Sequence, residues 1–168
     1  MMNRMMLLLL LVLLSCNRSP EPPKPLSLDQ IPVFDDFEDM AYVFDQQTDS
    51  VYVVNFWATW CKPCIAEMPY FEQLAGDMRG KKVKIVLVSL DFEEHLESKL
   101  LPFLEKNKMP GEVLVLTDPD ANDWINKVHP DWGGAIPVTL IYQGNQRSFV
   151  NKAFANYEEL RDAVSAML

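Results

Sequence analysis

Two cysteines spaced C-x-x-C, Cys61 and Cys64, are the residues of this chain whose type and spacing indicate chemistry. They follow an apolar, strand-like run and stand at the start of a helical pattern. The unpaired backbone N–H groups of a helix N-terminus favour a thiolate at Cys61, and Lys62 adds a positive charge. Cys64 lies one turn deeper on the same face, within bonding reach. The pattern predicts a redox dithiol with Cys61 attacking and Cys64 resolving.

Three other uses of a C-x-x-C pair fit less well. A structural disulfide at this spacing closes too small a loop to stabilise the fold much. A structural zinc site needs about four ligands, and only His95 and His129 remain as nitrogen donors. Haem attachment needs a histidine directly after the second cysteine, where this chain has Ile65. We therefore expect neither a metal nor another cofactor.

The apolar periodicity predicts helices and strands in alternation along most of the chain. Helices are predicted over residues 36–44, 62–78, 93–107, 120–128 and 156–168, and strands over 50–56, 82–90 and 112–116, with a final hairpin of 138–142 and 147–150. This order predicts an α/β fold whose sheet is covered by helices on both faces.

The N-terminus has the pattern of a targeting segment, in which Arg4 precedes an apolar stretch over residues 5–14. This stretch is shorter than the ~20 residues that a transmembrane helix needs. It ends in Leu-Leu-Ser before Cys16, which resembles a bacterial lipobox and predicts lipidation of Cys16. The alternative is an ordinary secretory signal beside an incidental cysteine.

Prolines dominate the segment after Cys16, which predicts an extended tether. The predicted organisation is therefore a signal peptide over 1–15, a lipidated cysteine and proline-rich tether over 16–30, and one folded domain over 31–168. The formal net charge of -9 argues against a nucleic-acid partner, because phosphate binding needs clustered Lys and Arg. The lipid on Cys16 would hold the domain at a membrane surface.

The run Asn-Phe-Trp-Ala-Thr-Trp-Cys-Lys-Pro-Cys over residues 55–64, followed by Glu-Met-Pro, resembles the active-site segment of the TlpA/ResA group of thioredoxin-like proteins. The resemblance extends through the order of elements over 51–168. It implies a thioredoxin fold, with a central mixed β-sheet flanked by helices on both faces, and an extracytoplasmic, membrane-tethered thiol-disulfide oxidoreductase. It also implies that Trp57 and Trp60 flank the active site and that Trp60 contacts substrate; the alternative for Trp57 is a core position.

A second run, Gly-Ala-Ile-Pro-Val-Thr over residues 134–139, resembles the loop that carries the cis-proline of thioredoxin folds. The resemblance implies a cis bond before Pro137, which would face the dithiol. It further implies that the backbone groups of Ile136 pair with an extended substrate segment.

Asn55 stands where cytoplasmic thioredoxins carry a buried Asp, and an amide cannot shuttle a proton. Relatives in the TlpA/ResA group have a Glu after the second core strand, and the comparable stretch here is 90–94. The alignment of this stretch with those relatives is ambiguous, so two residues are candidates for the corresponding carboxyl group. Asp91 is our choice for the acid that assists Cys64, and Glu93 is the alternative.

The resulting hypothesis is a lipid-anchored, extracytoplasmic enzyme of the bacterial cell envelope, on the periplasmic side, that reduces disulfides of client proteins and is recharged by a membrane thiol-reductase. Strong oxidants of this fold carry Pro-His between the cysteines, whereas this chain has Lys62-Pro63, which favours reduction. The alternatives are a disulfide oxidase or isomerase, a peroxiredoxin-like peroxidase, and a tethered binding or copper-handling module. The peroxidase is disfavoured because Ala58 stands where peroxide positioning needs a hydroxyl.

Overall fold

A six-stranded mixed sheet forms the middle layer of the structure, a computed structural model that describes residues 25–168. Its strands are β1 (Val33–Phe34), β2 (Val51–Trp57), β3 (Val83–Ser89), β4 (Glu112–Leu116), β5 (Val138–Gln143) and β6 (Gln146–Val150). They lie in the order β1-β4-β3-β2-β5-β6. The first four in this order run parallel, and β5 runs antiparallel to both of its neighbours, β2 and β6.

Strand β2 is central and fully buried, as its β-branched and aromatic composition predicts. Alternate side chains enter different cores because successive residues of a strand point to opposite faces. Val53 and Trp57 pack on one face, and Val54 and Phe56 pack on the other. Asn55 falls between Val53 and Trp57 in this alternation, so a polar group lies on an otherwise apolar face.

Helices cover both faces of the sheet, which confirms the predicted layer arrangement. They are α1 (Phe37–Met40), α2 (Lys62–Asp77), α3 (Leu101–Lys106), α4 (Ala121–Val128) and α5 (Tyr157–Ser165). The apolar sides of α2 and α5 pack in one core, and those of α1 and α4 pack in the other.

The segment predicted as one helix over 93–107 changes geometry twice. It begins as a 3-10 turn over Glu93–His95, continues as a π-helical turn over Leu96–Leu100, and becomes α-helical only in α3. Pro102 lies in the first turn of α3, where its missing N–H is tolerated. The predicted helix over 36–44 is likewise one α turn followed by a 3-10 turn over Ala41–Phe44.

Strand β1 was not predicted, because two residues are too short for a periodicity to show. It forms through parallel pairing with β4, a contact between distant parts of the chain.

Packing begins slightly before the predicted domain boundary at residue 31. The Leu26 N–H donates to Glu105 Oε1 at 3.2 Å, and Leu26 and Leu28 pack against the core. The predicted signal peptide, Cys16 and most of the predicted tether lie outside the described residues. Within residues 25–168, no helix has both the length and the apolar character needed to cross a bilayer.

Candidate active site

Cys61 and Cys64 are joined by a disulfide at the start of α2, with their Cα atoms 5.3 Å apart. Cys61 is the N-cap residue of the helix, and its Sγ accepts the Cys64 N–H at 3.3 Å. That contact brings the positive end of the helix dipole to the Cys61 sulfur, as predicted from the sequence. Cys64 is completely buried and Cys61 nearly so. The neighbouring Lys62 is exposed.

The loop before β5 brings a second segment to the disulfide. The Ile136–Pro137 peptide bond is cis, which confirms the isomer implied by the resemblance. The carbonyl oxygen of Ile136 lies 3.7 Å from Cys61 Sγ. Gly134 has a φ of +86°, a conformation that favours glycine, and it directs the chain into this loop. Backbone polar groups of Ile136 thus lie beside the more accessible sulfur.

Glu67 is a buried carboxyl group on the same face of α2, one turn beyond Cys64. Its Oε1 accepts from Asn55 Nδ2 at 3.1 Å, and its Oε2 accepts from the Phe154 N–H at 2.8 Å. Asn55 Nδ2 also donates to Thr139 Oγ1 at 3.0 Å, two residues beyond Pro137. The amide therefore links Glu67 to the strand that follows the cis-proline.

Burial raises the pKa of Glu67 to about 7, and the hydrogen bonds from Phe154 and Asn55 oppose that rise. A carboxyl group with a pKa near neutrality suits proton exchange with a thiol. Sequence reasoning missed this residue. The available signal was a glutamate on the helix face that also carries the buried Cys64, Met68 and Phe71.

Asp91 lies buried in the turn after β3, and its carboxylate holds the loop that precedes Cys61. It accepts from the Thr59 N–H at 3.0 Å, from the Thr59 hydroxyl, and from Ser89 Oγ at 2.8 Å. None of these contacts involves Cys64. The proton-transfer role of Asp91 stays a prediction, and Glu67 is a second candidate for the carboxyl group that exchanges a proton with Cys64. Glu93, the earlier alternative, is exposed at the start of a 3-10 turn.

The two tryptophans before the dithiol lie in different environments. Trp57 is completely buried in β2 and packs against Phe103 with ring centroids 5.4 Å apart, which places it in the core. Trp60 is 52% exposed and stacks on Phe92 with centroids 5.9 Å apart. Only Trp60 is therefore placed to contact a partner.

Among the described residues, neither histidine shares a hydrogen bond with Cys61 or Cys64. His129 Nδ1 accepts the Asp131 N–H at 3.2 Å, and its ring stacks on Phe149. Across the described range 25–168, no group of three or more His, Cys, Asp and Glu side chains is arranged to hold a metal ion.

The chain matches the AhpC/TSA family over residues 33–147. It is 57% identical over 42 residues to the thiol-disulfide oxidoreductase ResA of Oceanobacillus iheyensis, a match that covers 25% of this chain and 22% of that protein. The chain spans about a quarter of the length of the ResA proteins that it matches.

Two solved structures extend the similarity to most of the domain. A secreted Mycobacterium tuberculosis disulfide oxidoreductase homologous to Escherichia coli DsbE matches with a TM-score of 0.54 and 24% identity, over 72% of this chain and 84% of that one. A thioredoxin-related protein of Neisseria meningitidis matches with a TM-score of 0.58 and 25% identity, over 71% and 85%. These matches confirm the predicted thioredoxin fold.

Proposed function

The chain belongs to the AhpC/TSA family, and we propose that it is a thiol-disulfide oxidoreductase that reduces disulfides of client proteins. One observation carries the proposal. The Cys61–Cys64 disulfide caps a helix N-terminus and lies against the Ile136 carbonyl beside a cis-proline. The similarity to ResA and to the secreted DsbE homologue supports the same chemistry.

In the reduced enzyme, the Cys61 thiolate attacks one sulfur of a client disulfide. A bond forms between Cys61 and that sulfur, and the other client sulfur leaves as a thiolate and takes up a proton. Cys64 then loses its proton and attacks the Cys61 sulfur, which forms the Cys61–Cys64 disulfide and releases the second client thiolate. The client gains two electrons, and a membrane thiol-reductase returns two electrons to the enzyme.

We assign to Glu67 the uptake of the proton from Cys64, which is supported by the burial of both groups on one face of α2. With a pKa of about 7, it is partly ionised near neutral pH and can both accept and return the proton. Asp91 acts differently in this scheme: its hydrogen bonds to Thr59 fix the loop before Cys61.

Trapping of a covalent intermediate tests the proposal. The full chain with Cys64→Ala is expected to accumulate a mixed disulfide with a defined disulfide-containing peptide, because Cys61 attacks and nothing resolves the bond. Non-reducing electrophoresis and mass spectrometry would detect it. Cys61→Ala is the matched control and should trap nothing. Trapping by Cys61→Ala instead would reverse the roles, and consumption of peroxide without peptide reduction would favour the peroxidase.

The direction of electron flow follows from the residues between the cysteines. Lys62 is exposed and hydrated, so it stabilises the thiolate only modestly, and Pro63 precedes Cys64 as in reducing thioredoxins. We expect a midpoint potential nearer about -270 mV than about -120 mV in a glutathione redox series. A value more oxidising than about -180 mV would make the protein an oxidant or isomerase.

The proposed place of action is the bacterial cell envelope on the extracytoplasmic, periplasmic side. The Leu-Leu-Ser-Cys16 sequence supports a lipid anchor, and the proline-rich segment after it supports a tether over 16–30 that joins the anchor to a thioredoxin-like domain over 31–168. One structural relative is described as secreted, which supports the compartment.

A further inference from the structure

A pocket of about 410 Å³ opens at the segment that leads into Cys61 and is not used by the proposed chemistry. We call it the aromatic pocket; it is lined by Thr59, Trp60, Phe92, His95, Lys99 and Phe103. Two of these residues, Thr59 and Trp60, immediately precede Cys61 in the chain, which places one edge of the pocket next to the residue that carries the attacking sulfur. Trp60 and Phe92 are each about half exposed, and exposed aromatic rings in contact with one another mark interaction sites.

A buried carboxylate, that of Asp91, joins the two backbone segments that carry the exposed rings. Asp91 directly precedes Phe92 and accepts the Thr59 N–H at 3.0 Å, next to Trp60. Ser89 Oγ donates to the same carboxylate at 2.8 Å. The Trp60 and Phe92 rings lie nearly parallel, with 15° between their planes. The pocket is therefore formed before any partner arrives, which lowers the entropic cost of binding.

The remaining side of the pocket comes from the irregular segment between β3 and α3. His95 ends its 3-10 turn and contacts Phe92 edge to face, with ring centroids 6.1 Å apart. Lys99 lies in the π-helical turn over Leu96–Leu100, a geometry that often marks functional sites. Phe103 packs on the buried Trp57 and so joins the pocket to the core.

Lys99 gives the lining of the pocket a positive side chain, although the chain as a whole is acidic. The protein carries a formal net charge of -9, yet the ionisable side chains that line the pocket are His95 and Lys99. Glu93, Glu94 and Glu97 belong to the same segment but do not line it. Aromatic faces beside an ammonium group match an aromatic side chain that has a carboxylate next to it.

We propose that the aromatic pocket binds an aromatic side chain of the client polypeptide close to the client cysteine, with an acidic client residue opposite Lys99. The proposal rests on the proposed function, since it assigns the substrate preference of the same site. It makes Asp91 a positioning residue for client binding, whichever carboxyl group exchanges the proton with Cys64.

Three disulfide peptides of equal length test this preference: one with Phe-Glu beside the cysteine, one with Ser-Glu and one with Phe-Lys. The full chain should reduce the Phe-Glu peptide with about tenfold higher kcat/KM than the Ser-Glu peptide, mainly through KM, in the range that hydrophobic pockets discriminate. Phe92→Ser should bring that ratio close to one. Lys99→Glu should reverse the preference between the Phe-Glu and Phe-Lys peptides.

Tyr42→Ser is the matched control, because Tyr42 is 54% exposed and lies outside the pocket. It should keep the peptide ratios of the unaltered chain. Equal rates for all three peptides on the unaltered chain, or an equal loss on all three in Phe92→Ser, would overturn the proposal. A change of oligomeric state in Phe92→Ser without a change in peptide ratios would assign the pocket to a second copy instead.

A binding measurement separates this proposal from the redox chemistry. Bis(2-hydroxyethyl) disulfide reports reduction without any side chain to recognise, so failure to reduce it would contradict the proposed function alone. The Phe-Glu peptide with serine in place of cysteine should still shift the NMR signal of the Trp60 indole saturably. The absence of a shift would contradict the aromatic pocket even where disulfides are reduced.

Discussion

Glu67 is the buried carboxyl group of α2 whose ionisation falls within the physiological pH range. Asn55 and the Phe154 N–H both donate to it, and burial still raises its pKa to about 7. A second carboxyl group, Asp91, is equally buried but accepts hydrogen bonds from Thr59 and Ser89. These environments suggest different roles, and kinetics can distinguish them.

Glu67→Gln should slow resolution of the mixed disulfide by about 10²-fold, the lower end of general acid–base contributions. In the unaltered enzyme this rate should rise as pH increases through about 7, because ionised Glu67 accepts the Cys64 proton. The variant should lose that rise. Stopped-flow decay of the mixed disulfide across pH measures both effects.

Asp91→Asn is the matched comparison for that experiment. We expect its pH profile to keep the rise near pH 7, with slower reaction of peptides because the Thr59 loop is less well held. If Asp91→Asn removes the rise and Glu67→Gln leaves it intact, the acid is Asp91, as the sequence first indicated.

The pKa of Glu67 also predicts how stability depends on pH. The folded protein binds a proton more tightly than the unfolded chain, whose glutamate has an ordinary pKa of about 4.5. The free energy of unfolding should therefore fall as pH rises from about 4.5 to about 7, by at most ~3 kcal/mol. Urea unfolding of the oxidised protein at several pH values, with Glu67→Gln as reference, isolates this contribution. If the free energy of unfolding depended on pH in the same way in both proteins, the predicted contribution of Glu67 would be contradicted.

Among the individual helices, α2 forms where the sequence predicts it, because the residues that indicate a helix lie close together in the chain. The N-cap cysteine, the proline in the first turn and the apolar stripe all lie within the helix itself. The segment over 93–107 shows the opposite case. Its apolar spacing predicts one helix, but the 3-10 and π-helical turns within it are packed against other parts of the chain.

Gly111 lies just before β4, and a Cβ added there would lie 2.3 Å from the Ile85 carbonyl oxygen of β3. Gly111→Ala should therefore destabilise the fold by about 1–3 kcal/mol, since backbone must move to relieve the contact. Gly76→Ala is the control, because outside the neighbouring backbone of its own helix no atom lies within 4 Å of the added Cβ, and alanine favours a helix. Thermal unfolding should show the first variant less stable than the parent and the second at least as stable.

At the scale of the whole molecule, the sheet topology assembles the site from separate segments. Strands β2 and β3 run parallel and end at Trp57 and Ser89, which pair with each other, so the loops before Cys61 and after β3 meet at one edge. Strand β5 is antiparallel to β2 and begins there, which brings Pro137 to the same edge. Sites at the carboxyl ends of parallel strands are a general property of open α/β sheets.

The predicted anchor also concerns the whole molecule, because it decides where the domain works. Replacement of Cys16 by Ala should release the protein from membranes, since the apolar stretch before it is too short to span a bilayer. Membrane fractionation after a high-salt wash measures this release. A Cys16→Ala protein that stays in the pellet would show that something other than the lipid holds it.

The dithiol, the helix that begins at it, and the alternation of strands and helices can be predicted from the sequence, because each depends on residues close together in the chain. It also carried the resemblance that implied the cis bond at Pro137. Only the tertiary structure identified Glu67 as a buried acid, since its partners Asn55 and Phe154 come from distant segments. Burial and long-range hydrogen bonding set a carboxyl pKa, and neither is visible in local residue spacing. The aromatic pocket is also invisible in local residue spacing, because Trp60 and Phe92 come into contact only when β2 and β3 pair.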